Sequence, residues 1–296
     1  MGLTLRNQQQ RDGAPGDGCR LCRNRSAVLK DSHIIPKWAW RVSRTRGAAN
    51  PEAVTVEDGV AYQTSHQIVE KLLCADCEER FSVFEGYVRS LVYTDGTSAP
   101  IFDKAETQPI VRRTDTGEEA RYLPLDNVDV DKIARFAISV FWRSHVAKRD
   151  NAGQVDLGAT HGEHFRQFLL GRRAFPSSSA LLLSLLAPDD EEGACFNRTV
   201  CVPITNRDTV GVRHEFIICG FIFELHTGIN SWTKKSRWLR DTACLMRHGR
   251  RLAALMPAKD SRLIRVVHAQ VKTAEVRVKG MYSNRTRAGT VPRKLR

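Results

Sequence analysis

Three strings near the amino terminus decide how this chain is read: C-R-L-C at 19–22, D-S-H-I-I-P-K-W at 31–38, and K-L-L-C-A-D-C-E-E-R-F-S-V-F-E at 71–85. The first and third each hold a C-x-x-C pair, Cys19/Cys22 and Cys74/Cys77. Two such pairs bring four soft thiolate donors to the two ends of one loop, the arrangement that tetrahedral Zn²⁺ requires. The alternatives are ordinary buried or surface cysteines, or disulfides. The remaining cysteines, Cys195, Cys201, Cys219 and Cys244, stand singly among apolar neighbours and read as core residues.

Composition sets the frame around this stretch. The 296 residues are 42% hydrophobic, enough for a full core, and length alone allows one large or two modest domains. Residues 1–18 are polar and Gly-rich with no apolar export segment, and no apolar run approaches a bilayer span. A cytoplasmic protein without membrane association is the expectation. Reducing cytosol then favours metal over disulfide for the paired cysteines.

The formal charge of +13 is unevenly distributed. Residues 231–296 carry 18 Lys or Arg against Asp241, Asp260 and Glu275, a net +15, so the first 230 residues carry −2. Clustered cations suit a phosphate-backbone partner, because neutralising phosphates releases condensed counterions. A solvated surface is the bland alternative. Within this region W-T-K-K-S-R-W-L-R alternates indoles and cations, so Lys234, Lys235, Arg237 and Arg240 are candidate nucleic-acid contacts. Packing of an amphipathic helix explains the same pattern equally well. Residues 279–296 form a basic tail without an acidic residue.

Along the chain, the β-branched residues around His33 place it on or beside a strand that Pro36 ends. In K-W-A-W-R-V-S-R-T-R (37–46), indoles among cations suit either phosphate contact or a helix that packs Trp38 and Val42 inward. Turn signals at Asn50-Pro51 and Asp58-Gly59, with V-T-V before and V-A-Y after the second, predict a hairpin. The second C-x-x-C opens a helix that buries Phe81, Phe84, Val88 and Leu91, while Glu78, Ser82, Glu85 and Arg89 share another face. Residues 94–121 read as an irregular connection. Beyond it come a helix over 130–147 with a stripe of Ile133, Phe136, Ala137, Val140 and Phe141, and a second helix over 163–170. Strands are expected at 180–186, 199–204 and 215–225, the last long and central. His145 reads as a cap or core residue. No internal repeat and no phosphate-binding glycine loop is present.

C-x-x-C, a histidine on the following strand, and C-x-x-C opening a helix together resemble the zinc-stapled HNH, or ββα-metal, nuclease finger, a treble-clef arrangement. More narrowly, S-H-I-I-P and L-L-C-x-x-C-E-x-x-F-S-x-x-E are similar to strings of a group of bacterial HNH-like proteins. The match covers residues 19–93. The resemblance implies that His33 is the general base that activates water for phosphodiester attack. It places a divalent-cation ligand directly after the last cysteine, which here is Glu78, and a carboxylate suits Mg²⁺ or Mn²⁺. Glu85 could complete that metal set, or pair with Arg89 four residues on; Glu78 could equally complement a helix N-terminus. Where the family often has an acidic ligand before the base, this chain has Ser32, with Asp31 one place earlier on the opposite side of the strand. The family's middle Asn is missing, and Gln63, His66 and Gln67 are the available substitutes.

The expected architecture is therefore α+β. A leader (1–18) precedes a zinc-bound ββα-metal finger (19–93), a connection (94–120), an α+β companion domain (121–278) and a basic tail (279–296). The expected function is metal-dependent endonuclease action on nucleic acid, DNA foremost, with structural Zn²⁺ and catalytic Mg²⁺ or Mn²⁺. A role in bacterial defence and a protein partner or oligomer are compatible with the resemblance. The alternative is a non-catalytic, zinc-stapled nucleic-acid-binding or regulatory protein.

Overall fold

A computed structural model of the chain describes residues 18–43, 53–57, 60–64, 67–92, 99–105, 108–113, 119–147, 155–187, 193–208, 211–229, 251–261, 263–266 and 268–269. The amino-terminal part contains β1 (Leu29–His33), α1 (Lys37–Val42), β2 (Ala53–Glu57), β3 (Val60–Thr64), β4 (Val69–Cys74) and α2 (Ala75–Arg89). β1 and β4 pair antiparallel, Leu29 opposite Cys74 and His33 opposite Val69, with a bulge between Lys30 and Asp31. β1 ends at His33, and Pro36, at φ −53°, opens α1 three residues later. β2 and β3 form the expected hairpin, closed with Glu57 opposite Val60.

β4 runs into α2 with no loop between them. Cys74 is still extended at ψ 168° while its successor is helical, and Asp76 and Glu78 place negative charge in the first turn, where the helix dipole favours it. α2 buries Cys77, Phe81 and Val88. Phe84 is half-buried, and Leu91 is buried just beyond the helix end. The result is an antiparallel hairpin followed at once by a helix, with α1 and the β2/β3 hairpin inserted between its strands.

The segment 94–121 is not the irregular connection expected. Its described part holds α3 (Pro100–Ala105) and β5 (Ile110–Arg113), and β6 (Glu119–Pro124) begins before it ends. Half-exposed, cation-rich edge strands such as β5, whose side chains are all at least partly accessible, lack the apolar alternation that reveals a strand. The chain continues through α4 (Val130–Val146), α5 (Gly158–Leu169), β7 (Ala180–Leu186), β8 (Val200–Asp208), β9 (Gly211–Ile218), β10 (Phe221–Thr227) and β11 (Leu252–Met256). Seven strands form one sheet in the order β5-β6-β11-β7-β10-β9-β8. Its pairs are antiparallel except β11 with β7.

The single long strand expected over 215–225 is instead the end of β9, a two-residue turn and most of β10. Cys219 and Gly220 both have positive φ, 49° and 81°, and Phe221 pairs with Ile218. Two consecutive positive φ values match the twist of a tight hairpin. Cysteine at the first turn position hides the signal that Asn or Asp would have displayed. The central strand is β7, buried along its whole length.

α4 is buried on nearly all sides, from Val130 and Ile133 through Ser144, and is not confined to one apolar stripe. A helix apolar around its circumference must be covered on both sides. Phe136 accordingly meets Trp38 of α1 at 6.4 Å between ring centroids, and Phe216 and Phe223 of the sheet at 6.4 and 5.8 Å. One continuous core therefore runs from Leu21, Trp38 and Phe81 through α4 to Phe216 and Leu225. No described helix is long and apolar enough to cross a membrane.

Candidate metal centre and the histidine–carboxylate cluster beside it

The first C-x-x-C pair lies in a tight turn. The Cys19 N–H donates to Asn24 O at 3.0 Å and the Arg23 N–H to Cys19 O at 2.8 Å, with Arg23 at φ 65°. Gly18 lies so close that a Cβ there would stand 2.3 Å from the Asn24 carbonyl. The second pair straddles the β4–α2 junction, and antiparallel pairing of β4 with β1 brings it back to the first. All four Sγ atoms lie within 4.8 Å of one another, and Cys22 and Cys74 are 3.8 Å apart. Four bonds of about 2.3 Å to a tetrahedral centre give S···S separations of about 3.8 Å, against about 2.05 Å for a disulfide. The Cys74 N–H also donates to Cys19 Sγ at 3.3 Å, a contact that steadies a thiolate. The quartet can hold a metal ion such as zinc. Without one, burial and the neighbouring thiols push the Cys77 thiol far above its usual range.

His33 ends β1, half-buried. Burial lowers its pKa from 6.5, the Lys37 and Arg143 charges lower it further, and Glu85 and Glu78 oppose them. Both candidate carboxylates thus act on the imidazole electrostatically. Ser32, fully buried, donates its hydroxyl to Glu78 Oε1. Asp31 is exposed, as expected for the opposite side of the strand. Glu85 accepts from Arg143 Nη2 at 2.7 Å, so its partner is this buried arginine of α4 and not Arg89. Arg143 also lies over the Phe81 ring at 5.5 Å.

Among the described residues, the cysteine quartet is the one place where three or more Cys, His, Asp or Glu donors converge to ligating distance. His33, Glu78 and Glu85 share a neighbourhood but do not converge to that degree. Gln67, one of the substitutes for the missing Asn, precedes β4 near the His33 end of the hairpin, and its side-chain carbonyl is buried without a hydrogen-bond partner. Gln63 lies on β3 opposite Val54, and His66 falls outside the described residues. Arg143 is a neighbour of His33 and Glu85 that the sequence reading left unassigned. Its signal was a cation within the apolar run F-W-R-S.

Trp38 is buried against Phe136, which settles α1 as a packing helix. His145 proves to be a tether: its Nδ1 accepts from the Leu157 N–H at 3.3 Å at the start of α5. Cys219 is buried and Cys201 packs beside Ile217, as expected of core cysteines. Lys234, Lys235, Arg237, Arg240 and the tail 279–296 lie outside the described residues. No known protein family, curated protein or solved structure matches this chain.

Proposed function

We propose that this protein is a metal-dependent endonuclease of the HNH-like type, hydrolysing phosphodiester bonds of nucleic acid, DNA foremost, with zinc in the cysteine quartet as a structural staple. The observation that carries the reading is His33 at the end of a β-hairpin that leads into a helix, beside two carboxylates of that helix. An imidazole held below 6.5 is neutral at pH 7 and able to accept a proton. His33 would take the proton of the attacking water as its oxygen bonds to phosphorus and the P–O bond to the leaving oxygen breaks.

The two carboxylates are not equivalent. Glu85 is paired with the Arg143 guanidinium, whereas the partner of Glu78 is the uncharged Ser32 hydroxyl. Glu78 is therefore the residue that would hold Mg²⁺ or Mn²⁺, which bind through one or two carboxylates together with substrate phosphates. When bound, such an ion polarises the scissile phosphate and steadies the leaving oxygen. Glu85 opposes the lowering of the His33 pKa, but Arg143, which fixes it, acts in the other direction and more strongly.

His33→Ala should abolish cleavage of duplex DNA in Mg²⁺ or Mn²⁺ while zinc content stays unchanged. Glu78→Ala should abolish it with partial rescue at high Mn²⁺. Full activity in His33→Ala would move the chemistry elsewhere in the chain. A second reading is favoured by the prior engagement of both carboxylates, by Ser32 and Arg143: a zinc-stapled nucleic-acid-binding or regulatory scaffold. Wild-type protein that cuts neither DNA nor RNA with any divalent metal would leave that reading standing.

A further inference from the structure

A cleft of about 570 Å³ opens between the first cysteine turn and α5, away from the contacts that engage His33, Glu78 and Glu85. Its walls carry Arg20, Arg23 and Arg25 from the turn, and His145, Glu163 and Arg166 from α4 and α5. We propose that this cleft is a phosphate-binding site, whose phosphate is supplied by a polynucleotide backbone. The choice of source rests on the nucleic-acid reading above; the chemistry of the cleft does not.

Three guanidinium groups, those of Arg23, Arg25 and Arg166, face the one carboxylate of Glu163 here, and Arg20 adds a fourth cation that has a partner of its own. Cations that share a concave wall reinforce one another's field in a way that scattered surface charges do not. One side is already organised. Arg166 is 6% exposed and donates to the Leu21 carbonyl, which ties α5 to the cysteine turn. Its Nε and Nη2 also grip Glu163 at 2.8 and 2.9 Å.

Glu163 shows what the site does to an anion. It accepts from Arg166, from Gln167 at 2.7 Å and from Arg23, and chiefly the Arg166 hydrogen bonds hold its pKa down to about 2. Glu163 is shared between Arg23 and Arg166 and does not engage Arg25. Arg25 is exposed and has no acidic partner among the described residues. Arg23 keeps a largely exposed side chain despite its contact with Glu163. A phosphate offers further acceptor oxygens to the planar forks of these arginines, which bind it bidentately. The volume lies within the range of about 300–1,000 Å³ usual for ligand sites. The backbone bonds of the turn and the cysteines beside it fix the main chain that carries Arg20, Arg23 and Arg25 before any ligand arrives.

The full-length, metal-loaded protein should be titrated with pyrophosphate and, separately, with a labelled single-stranded oligonucleotide. The variants are Arg25→Ala in the cleft and Arg113→Ala on exposed β5 as a charge-matched control. Wild type should bind both probes, Arg25→Ala should weaken each about tenfold, and Arg113→Ala should leave both nearly unchanged, all at wild-type zinc content. Pyrophosphate binding that depends on Arg25, with no oligonucleotide binding by any variant, would support the cleft and remove the nucleic-acid reading. Binding of neither probe, or equal losses in Arg25→Ala and Arg113→Ala, would overturn the proposal.

Discussion

Arg143 of α4, with 1% of its side chain exposed, donates to Glu85 of α2 at 2.7 Å, 58 residues away in the chain. The pair joins the helix that backs the sheet to the helix that carries the second cysteine pair. A buried guanidinium loses most of its hydration, so its retention here depends on Glu85, on the Ser139 carbonyl at 3.4 Å and on the face of Phe81.

Breaking this pair should therefore be costly. Arg143→Leu is expected to lower unfolding free energy by about 3 kcal/mol in urea titrations, because it strands a partly buried carboxylate. Glu85→Gln strands the guanidinium and should also destabilise. Arg143→Met combined with Glu85→Leu should recover at least half of the loss. Single variants within ~0.5 kcal/mol of wild type would show that the pair contributes no structural coupling.

Metal content should track the four clustered cysteines alone. Purified protein should hold about one zinc per chain, and Cys74→Ser should release it and unfold the hairpin–helix unit, since coordination worth roughly 10 kcal/mol is folding energy in such units. Cys219→Ser, at a buried cysteine remote from the quartet, should keep its zinc. Folded Cys74→Ser protein with normal zinc would remove the assignment.

Acid should weaken the protein through His214. This residue is buried beside Phe141, its Nδ1 2.9 Å from Thr205 Oγ1, and burial pushes its pKa down to about 4. In the unfolded chain it takes up a proton near pH 6.5; in the folded chain it resists protonation until about pH 4. Stability thus falls as pH drops through that window, by roughly 3 kcal/mol for this group alone. Urea midpoints measured at pH 7, 5.5 and 4 should fall less steeply for His214→Gln than for wild type. Identical slopes would contradict the burial argument.

Gly162 inverts a familiar substitution. Gly→Ala inside a helix usually gains about 1 kcal/mol. A Cβ at 162, however, would lie 2.6 Å from His145 Nε2, and that ring is tethered through Nδ1 to the Leu157 N–H. Gly162→Ala should therefore lower the melting temperature. The same change made in a His145→Ala background should raise it. A gain in both backgrounds would mean that the imidazole moves aside at no cost.

Local features announced themselves along the chain. The β2/β3 hairpin followed from its turn residues, α4 from its 3.6-residue apolar period, β7 from an apolar run broken only by Ser184, and the cysteine turn from C-x-x-C spacing. Each of these depends on residues within one turn or one strand of each other, so a linear pattern is enough. Edge strand β5 and the turn at Cys219-Gly220 stayed hidden, because partial exposure and an atypical turn residue erase such patterns.

The histidine–carboxylate cluster divides in the same way. That His33 lies on or beside a strand, and that Glu78 and Glu85 share the helix opened by the second cysteine pair, could be read from the local sequence. That Ser32 binds Glu78 across 46 residues, and that Arg143 claims Glu85 where Arg89 was the local candidate, could not. Arg89 lies one helical turn from Glu85 but in solvent, where an i,i+4 pair contributes only about 0.3–0.5 kcal/mol. Arg143 reaches the same carboxylate from a buried helix, where an unpaired charge costs several times more. Which cation wins depends on desolvation, and desolvation exists only once α2, α4 and the sheet have packed together.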